Sequence, residues 1–281
     1  MTADPVTSLI DAALAEDIGP GDITTDLLIP AAAAGVGTII AKEELVVAGL
    51  DVARRVFARL DSRVRFDPAR ADGDAVAAGT SVAALRGPLR ALLTGERTAL
   101  NFIQRLSGIA TQTRAYVSAL GDRRTVLVDT RKTTPGWRYL EKYAVRVGGA
   151  KNHRMGLFDG VLIKDNHIAV SGGIQAAVQR ARSGASHLLR IEVEVESLPE
   201  VDEALAAGAD VIMLDNMDLA AIRAAVARIA GRATVEVSGG VTEEGLAALA
   251  DAGVDLISSG ALTHSARSVD LSMRITHDSD P

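Results

Sequence analysis

The sequence predicts an α/β protein: a (β/α) TIM-like barrel, open or incomplete with about six to seven strands, that follows an N-terminal α+β open-sandwich domain. From about residue 125, short apolar runs alternate with helical segments, which indicates right-handed βαβ units and a parallel sheet. The later runs recur about every 20 to 24 residues, the short period of a (β/α) barrel. Earlier runs are separated by tight turns, which is typical of a small antiparallel sheet.

The first part of the chain is assigned to the N-terminal domain, residues 1–107. A helix is predicted over residues 7–16, and the breaker run DIGPGDITT follows it. A long helix is predicted over Leu92–Leu106, with Ser107-Gly108 as its end. We expect the C-terminal tail, residues 268–281, to pack back on this domain. The remaining elements predicted here are strands at Gly37–Ala41, Val64–Phe66 and Ser81–Leu85 and a helix at Asp51–Leu60.

The barrel domain is predicted to span residues 108–267. Its strands are expected at Val126–Val128, Val161–Ile163, Ile191–Val195, Val211–Leu214, Val235–Val237 and Leu256–Ile257. Its helices are expected at 135–147, 173–183, 199–207, 218–230 and 242–252. The first of these helices has Thr134 as a candidate N-cap, Pro135 as its first residue and Gly148-Gly149 at its end. Arg138, Lys142 and Arg146 are expected on its solvated side.

Composition excludes several classes of protein. The 281 residues are 48% apolar, enough for a sizeable core, and carry a formal net charge of −6. An acidic chain with 3% aromatic residues is a poor candidate for nucleic-acid binding. The absence of cysteine excludes disulfides, thiolate metal sites and a cysteine nucleophile. The first residues do not resemble a signal peptide, and no apolar run approaches the roughly 20 residues of a membrane span. We therefore expect a soluble cytoplasmic protein with no membrane partner.

One stretch, Asp129–His167, runs against the acidic composition. It holds eight Lys or Arg and four Asp or Glu, and its cations lie where turns are predicted. Two like charges about 4 Å apart repel by roughly 1 to 4 kcal/mol, depending on the effective dielectric. Converging cations therefore need acids or a bound anion beside them, and this stretch predicts an anion site.

Polar groups follow each predicted barrel strand, at the end where barrel enzymes place their active sites. They are Thr130, Arg131 and Lys132 after the first strand, Lys164 after the second, Glu194 late in the third, Asp215 after the fourth, Ser238-Gly239-Gly240 after the fifth and Ser259-Gly260 after the sixth. Six consecutive strands ending in this way predict one shared site. The two glycine turns favour a phosphate, because the backbone can approach it closely. Thr242, Glu243 and Glu244 are expected to form the first turn of the helix that follows.

The roles of the acids and histidines stay open at this level. Glu194 and Asp215 are candidates either for ion pairs with the cations or for holding Mg²⁺ and sugar hydroxyls. His153 is a candidate hydrogen-bond donor to an anion, and the other histidines are assigned to surface or packing positions. Lys164 raises an alternative, a Schiff-base aldolase acting on a phosphosugar. A non-enzymatic anion-binding protein is a further alternative.

Nearly the whole chain resembles the quinolinate phosphoribosyltransferase (nicotinate-nucleotide pyrophosphorylase, carboxylating) family, the type II phosphoribosyltransferases. The motifs that carry the resemblance are EDIGPGDITT at 16–25, GERTALNFIQRLSGIAT at 95–111, DTRKTTPG at 129–136, NHR at 152–154, IKDNH at 163–167, EVEVES at 192–197, MLDN at 213–216, SGG at 238–240 and GALTHS at 260–265. Ala150 and Ser259 depart from the usual family residues, a glycine and an aliphatic residue.

The resemblance implies transfer of a phosphoribosyl group from phosphoribosyl pyrophosphate to quinolinate, with Mg²⁺ and loss of CO₂, to give nicotinate mononucleotide. It implies that Arg131, His153, Arg154 and Lys164 grip the quinolinate carboxylates, with Arg97 supplied by the other subunit of a homodimer or higher oligomer. Lys132 would face the pyrophosphate or ribose. Glu194 and Asp215 would hold ribose hydroxyls and the metal. The phosphate and substrate contacts implied elsewhere are Thr130, Ser238, Gly239, Gly240, Ser259, Gly260 and Ala261.

Overall fold

The computed structural model describes residues 4–277. Its helices are α1 (Pro5–Ile18), α2 (Ile23–Leu28), α3 (Leu50–Leu60), α4 (Leu89–Leu120), α5 (Arg138–Gly148), α6 (Asp165–Ser171), α7 (Ile174–Gly184), α8 (Leu198–Ala207), α9 (Leu219–Ile229), α10 (Leu246–Ala250) and α11 (Ala261–His264). Its strands are β1 (Ala34–Ala41), β2 (Leu45–Val46), β3 (Arg65–Pro68), β4 (Ala75–Val76), β5 (Ser81–Pro88), β6 (Val126–Val128), β7 (Val161–Ile163), β8 (Ile191–Val195), β9 (Val211–Asp215), β10 (Thr234–Ser238), β11 (Leu256–Ser258) and β12 (Leu271–His277).

The chain divides into two compact units. The first holds the residues up to Arg114, Thr134–Gly149 and the residues from Ala266 onward; the second holds Ala115–Thr133 and Ala150–Ser265. The first unit therefore extends beyond the predicted boundary at residue 107 and includes α5, which the sequence placed with the barrel.

The first unit contains a four-stranded antiparallel sheet in the order β12-β1-β5-β3. The alternating burial along β1, from Ala34 to Ala41, gives this sheet one buried face. The tail contributes β12, which pairs with β1 over Leu271–His277. Residues 278–281 of the predicted tail lie outside the described residues.

Helix α4 is longer than predicted, because Ser107-Gly108 does not end it. Ser107 is buried, and its hydroxyl accepts from the backbone N–H of Ala48 at 2.9 Å and donates to the Ala48 carbonyl at 3.2 Å. A Cβ at Gly108 would lie 2.0 Å from the carbonyl oxygen of Arg267. These small residues therefore allow close packing of neighbouring backbone, and the stop signal inferred from the sequence was wrong.

Helix α5 begins later than predicted, at Arg138, because Gly136 adopts a left-handed conformation with φ 80°. Thr134 is not its N-cap; its backbone N–H and its hydroxyl both donate to the buried carboxylate of Glu141, at 3.1 and 2.8 Å. The predicted solvated side was also wrong at Lys142, which is fully buried. Burial covers most of the helix circumference, so helical spacing alone did not identify the solvent side.

The second unit contains six parallel strands in the order β6-β11-β10-β9-β8-β7. All six strand predictions are confirmed within one residue at each end. Within residues 4–277, β6 and β7 form the two edges, and a bridge between Val128 and Lys151 lies beside β6. This arrangement agrees with the predicted open barrel. Helices α6 and α11 were not predicted, and α10 starts at Leu246 instead of residue 242. No helix in the described part of the chain is long and apolar enough to cross a membrane.

Candidate functional site

A cavity of about 340 Å³ lies in the second unit, where the carboxyl ends of its parallel strands meet. The cavity is lined by Thr130, Arg131, Lys132, His153, Arg154, Leu162, Lys164, Glu194, Met213, Asp215, Asn216, Glu236, Ser238, Gly239, Gly240 and Ser258. Five cationic or imidazole groups therefore share one small volume with three carboxylates. The strand-end pattern predicted that such residues would meet, and they line one cavity.

The cationic wall is anchored by Asp129, which is fully buried behind it. The Asp129 carboxylate accepts from the backbone N–H of His153 at 2.9 Å and from the Asn152 amide at 2.6 Å. This fixes the loop before β7 against the end of β6. Arg154 donates to the Gly160 carbonyl at 3.0 Å. Burial lowers the pKa of the Arg154 guanidinium, and the neighbouring positive charge of Arg131 lowers it further. The two cations are thus held close together, which a bound anion would stabilise.

Three ionisable groups meet at the floor of the cavity; His153 and Glu236 line the cavity, and Glu192 contacts His153 without lining it. The sequence analysis missed both acids. Nε2 of His153 lies 3.0 Å from Oε2 of Glu192 and 3.7 Å from Oε1 of Glu236. Glu192 is 7% exposed and Glu236 is 1% exposed. Burial, and then the charge of Glu192, raise the pKa of Glu236 from 4.5 to about 7. The anion that His153 contacts in this structure is therefore a protein carboxylate.

A pattern in the sequence could have located this floor. Glu192 lies two residues before Glu194 on β8, and Glu236 lies two residues before Ser238 on β10. Side chains two apart on a strand share a face, so each residue lies on the same face as a predicted site residue. Charged side chains inside otherwise apolar strands are themselves uncommon, since their burial is costly.

The acids at the rim have partners of their own. Lys164 forms an ion pair with Glu194, and this pair bridges β7 and β8. Oδ2 of Asp215 accepts from the side-chain amide of Asn216 at 2.8 Å. The backbone N–H of Asn216 in turn donates to the Ser238 carbonyl at 3.1 Å, although Asn216 has a φ of 52°. Ion pairing, one of the two roles left open for Glu194, is therefore present in this structure.

The glycine turns line a second cavity of about 260 Å³, which shares Thr130, Lys132 and the Ser238–Gly240 turn with the first. Ser259, Gly260, Ala261 and His264 also line it. A Cβ at Gly260 would lie 2.9 Å from Cδ of Lys132, so a larger residue would crowd this cavity. His264, which the sequence analysis assigned to a surface or packing position, is exposed and also lines this cavity.

The expected helix N-terminus beside the Ser238–Gly240 turn is wrong. Thr242 to Glu244 form a turn, and α10 is only five residues long. Gly239 and Gly240 instead adopt left-handed conformations with φ of 91° and 59°, which glycine reaches at little cost. The turn itself, and not the helix, exposes the backbone to the cavity.

Every predicted site residue of the second unit lines one or both of these cavities. Arg97 is the exception among the predicted set: it lies on α4 in the first unit and is exposed.

Comparisons with known proteins identify the family of the chain. The model of the quinolinate phosphoribosyl transferase N-terminal domain matches residues 22–107, and the model of the C-terminal domain matches residues 109–274. The chain is 48% identical over 261 residues to a protein of Bacillus subtilis named probable nicotinate-nucleotide pyrophosphorylase [carboxylating], covering 93% of this chain and 90% of that one. It is 42% identical over 279 residues to the Mycobacterium leprae nicotinate-nucleotide pyrophosphorylase [carboxylating], covering 96% and 97%.

Solved structures give the same result. NadC from Streptococcus pyogenes superposes with a TM-score of 0.94 at 46% identity, covering 99% of each chain. The nicotinate-nucleotide pyrophosphorylase of Francisella tularensis superposes with a TM-score of 0.94 at 43% identity, covering 98% of each chain.

Proposed function

The chain belongs to the quinolinate phosphoribosyltransferase family, and we propose on that premise how its cavity performs the family reaction. The enzyme is a decarboxylating phosphoribosyltransferase of NAD biosynthesis that converts quinolinate and phosphoribosyl pyrophosphate into nicotinate mononucleotide, pyrophosphate and CO₂. The observation that carries the proposal is one cavity with closely spaced cations on one wall and glycine turns on another. A small dianion and a phosphosugar fit such a pair of walls.

Quinolinate binds at the cationic wall. Arg131 and Arg154 supply adjacent positive charges, and the lowered pKa of Arg154 indicates that its charge lacks sufficient compensation without a ligand. Lys164 reaches the same cavity from the end of β7. A second carboxylate on the substrate gives these cations a second partner, which favours quinolinate over a pyridine with one carboxylate.

The phosphoribosyl group binds at the glycine turns. Ser238, Gly239 and Gly240 expose backbone to both cavities, and Thr130 and Lys132 line the same region. Ser259, Gly260 and Ala261 complete the smaller cavity, which suits the 5′-phosphate. Lys132 then lies on the side of the ribose and the pyrophosphate.

Mg²⁺ is expected to enter with the pyrophosphate. Magnesium prefers oxygen ligands and is usually held by one or two carboxylates together with substrate phosphates. Glu194 and Asp215 line the cavity and fit this requirement, and they would also hold the ribose hydroxyls. The ion would neutralise charge on the departing pyrophosphate.

The chemistry needs no protein nucleophile. Departure of pyrophosphate leaves positive charge on the ribosyl carbon, which the carboxylates of Glu194 and Asp215 stabilise. The ring nitrogen of quinolinate forms a bond to this carbon and becomes positively charged. This charge stabilises the electron pair that CO₂ leaves on the ring carbon, and a proton from solvent then binds this pair to give nicotinate mononucleotide. Decarboxylation therefore follows ribosyl transfer. The aldolase alternative is not supported, since the matching family models and the named relatives are phosphoribosyltransferases.

The working unit is proposed to be a homodimer or a larger assembly, in which Arg97 of one copy completes the site of another. Two features support this. Arg97 is exposed, and Ile23, Leu27 and Leu28 on α2 are 74%, 79% and 71% exposed, an apolar surface that a second copy would cover.

Complementation tests the shared site. Arg97→Ala and Arg131→Ala proteins should each be nearly inactive, and mixing them after reversible dissociation should restore roughly a quarter of wild-type activity, because some mixed dimers hold one intact site. Absence of any recovery, with both proteins dimeric, would count against Arg97 acting across the interface.

The direct test of function is pyrophosphate release. We expect Mg²⁺-dependent release from phosphoribosyl pyrophosphate with quinolinate, and at least about a hundredfold less with nicotinate, because a site built for two carboxylates leaves cations unpaired. Equal rates with the two acids would contradict the assignment of the cationic wall.

A further inference from the structure

Asn216 has a left-handed backbone conformation, which few residues other than glycine adopt. Within residues 4–277, the non-glycine residues with a positive φ are Asn216, with φ of 52°, and Ala230, with φ of 48°. Ala230 ends helix α9, a common position for this conformation. Asn216 instead follows β9, is exposed, and lines the cavity of about 340 Å³. A left-handed residue of this kind, away from a helix end, is typical of functional sites.

The side-chain amide of Asn216 holds one oxygen of Asp215. Its nitrogen donates to Oδ2 of Asp215 at 2.8 Å. An ionised carboxylate only accepts hydrogen bonds, so the amide nitrogen, and not the amide oxygen, must face Asp215. This contact restricts the rotation of the Asp215 carboxylate at the end of β9, where Asp215 lines the same cavity.

The other side of the same amide lies against the glycine turn. A Cβ at Gly239 would lie 2.1 Å from Oδ1 and 2.7 Å from Cγ of Asn216, whereas a Cβ at Gly240 would meet open space. Residue 239 must therefore lack a side chain for Asn216 to occupy its position. The backbone N–H of Asn216 also donates to the Ser238 carbonyl at 3.1 Å. Asn216 thus contacts Asp215 on one side and the turn on the other.

We propose that Asn216 is a positioning residue that sets the spacing between Asp215 and the Ser238–Gly240 turn. The inference rests on the proposed function, in which Asp215 faces the ribose and the turn binds the 5′-phosphate. Ribose and phosphate belong to one substrate, phosphoribosyl pyrophosphate, so this spacing determines how well that substrate is held and oriented. Quinolinate, bound at the cationic wall, does not depend on it.

Two substitutions separate this role from a general structural one. Asn216→Gly removes the amide and adopts a left-handed conformation at little cost, so it should lower the Tm by no more than about 3 °C. Asn216→Asp keeps the size of the side chain and places a second carboxylate beside Asp215, where the donor was. Ala230→Gly is the control, because it makes the same backbone change at an exposed helix end; its kinetics should equal those of wild type.

Steady-state kinetics give the first readout. Asn216→Gly and Asn216→Asp should each raise the KM for phosphoribosyl pyrophosphate about tenfold or more, because a hydrogen bond to a charged group is lost. The KM for quinolinate should change less than about twofold. An unchanged KM for phosphoribosyl pyrophosphate would overturn the proposal. An equal rise in both KM values, with a fall in Tm above about 5 °C for Asn216→Gly, would also overturn it, since the residue would then act on folding.

A double-mutant cycle gives the second readout. If Asn216 acts through Asp215, then Asn216→Gly should lower kcat/KM for phosphoribosyl pyrophosphate less than about threefold in a protein that already carries Asp215→Ala. The same loss in both backgrounds would overturn the proposal. Wild-type enzyme that releases pyrophosphate while either readout fails would refute the role of Asn216 alone and leave the proposed function standing.

Discussion

Replacing Glu236 by glutamine should change the pH dependence of stability in a direction that the structure fixes. Glu236 is 1% exposed, and burial together with the charge of Glu192 raises its pKa from 4.5 to about 7. The folded protein therefore keeps this proton up to a pH near 7, whereas the unfolded chain releases it near 4.5. The folded state binds more protons between these values, so this residue makes stability fall as pH rises through the window.

The size of the effect follows from the same values. A rise in the pKa of Glu236 from 4.5 to about 7 lowers the free energy of unfolding by about 3 kcal/mol once the pH exceeds both values. Glutamine has no charge to bury, so Glu236→Gln should be more stable than wild type by up to about 3 kcal/mol at pH 8. At pH 4.5 the difference should nearly vanish. For 281 residues, with about 2.1 cal/mol/K of unfolding entropy per residue, this is a shift of about 5 °C in Tm.

Differential scanning calorimetry of both proteins at pH 4.5, 6 and 8 measures this shift. Comparing the two proteins at each pH cancels the contribution of the titrating groups that do not interact with Glu236. Glu43→Gln is a control of opposite sign, because its hydrogen bond to Arg267 lowers the pKa of Glu43 to about 2. That variant should be less stable than wild type at pH 8. A Tm difference for Glu236→Gln that is the same at pH 4.5 and 8 would refute the reasoning.

Three further variants test separate parts of the account. Arg131→Ala should raise the KM for quinolinate at least tenfold and leave the binding of phosphoribosyl pyrophosphate, measured by calorimetry, nearly unchanged; equal loss of both would move Arg131 out of the dicarboxylate wall. Glu194→Gln should lower kcat on the order of a hundredfold with little effect on the Kd of quinolinate, and an unchanged kcat would remove Glu194 from the ribose side. Gly108→Ala should destabilise the protein by about 1 to 3 kcal/mol in chemical denaturation, because its Cβ would lie 2.0 Å from the Arg267 carbonyl. Gly184→Ala, with open space around its Cβ, is the matched control and should be neutral or stabilising.

The sequence alone predicted the positions of the parallel strands, because each strand is a short apolar run bounded by glycine or polar residues. The ends of these runs also indicated which residues line the cavity, since parallel strands place their carboxyl ends together. Arg97 is proposed as a site residue from family resemblance alone, because an exposed cation on a helix has no distinguishing local pattern.

Long-range packing accounts for the errors. Ser107-Gly108 looks like a helix stop, yet Ser107 bonds to Ala48 and Gly108 lies against Arg267, both far away in the sequence. Lys142 was placed on a solvated side, although the buried surface of α5 extends past it. In both cases the prediction used only neighbouring residues in the sequence. Contacts with residues far away along the chain determined where the helix ends and which side chains are buried.

The acid pair was missed for a related reason. Glu192 and Glu236 lie on different strands, and their proximity depends on the intervening β9 in the order β10-β9-β8. The pattern EVEVE shows two acids on one strand face, but it does not show that an imidazole and an acid from another strand lie beside Glu192.

A crystal structure with quinolinate and a non-reactive analogue of phosphoribosyl pyrophosphate bound together tests the central claim most directly. The account predicts both quinolinate carboxylates against Arg131 and Arg154, and the 5′-phosphate against the backbone of Ser238, Gly239 and Gly240. The ribose should lie between them, beside Glu194 and Asp215. Quinolinate bound outside this cavity, or a 5′-phosphate placed on the cationic wall instead of the glycine turn, would contradict it.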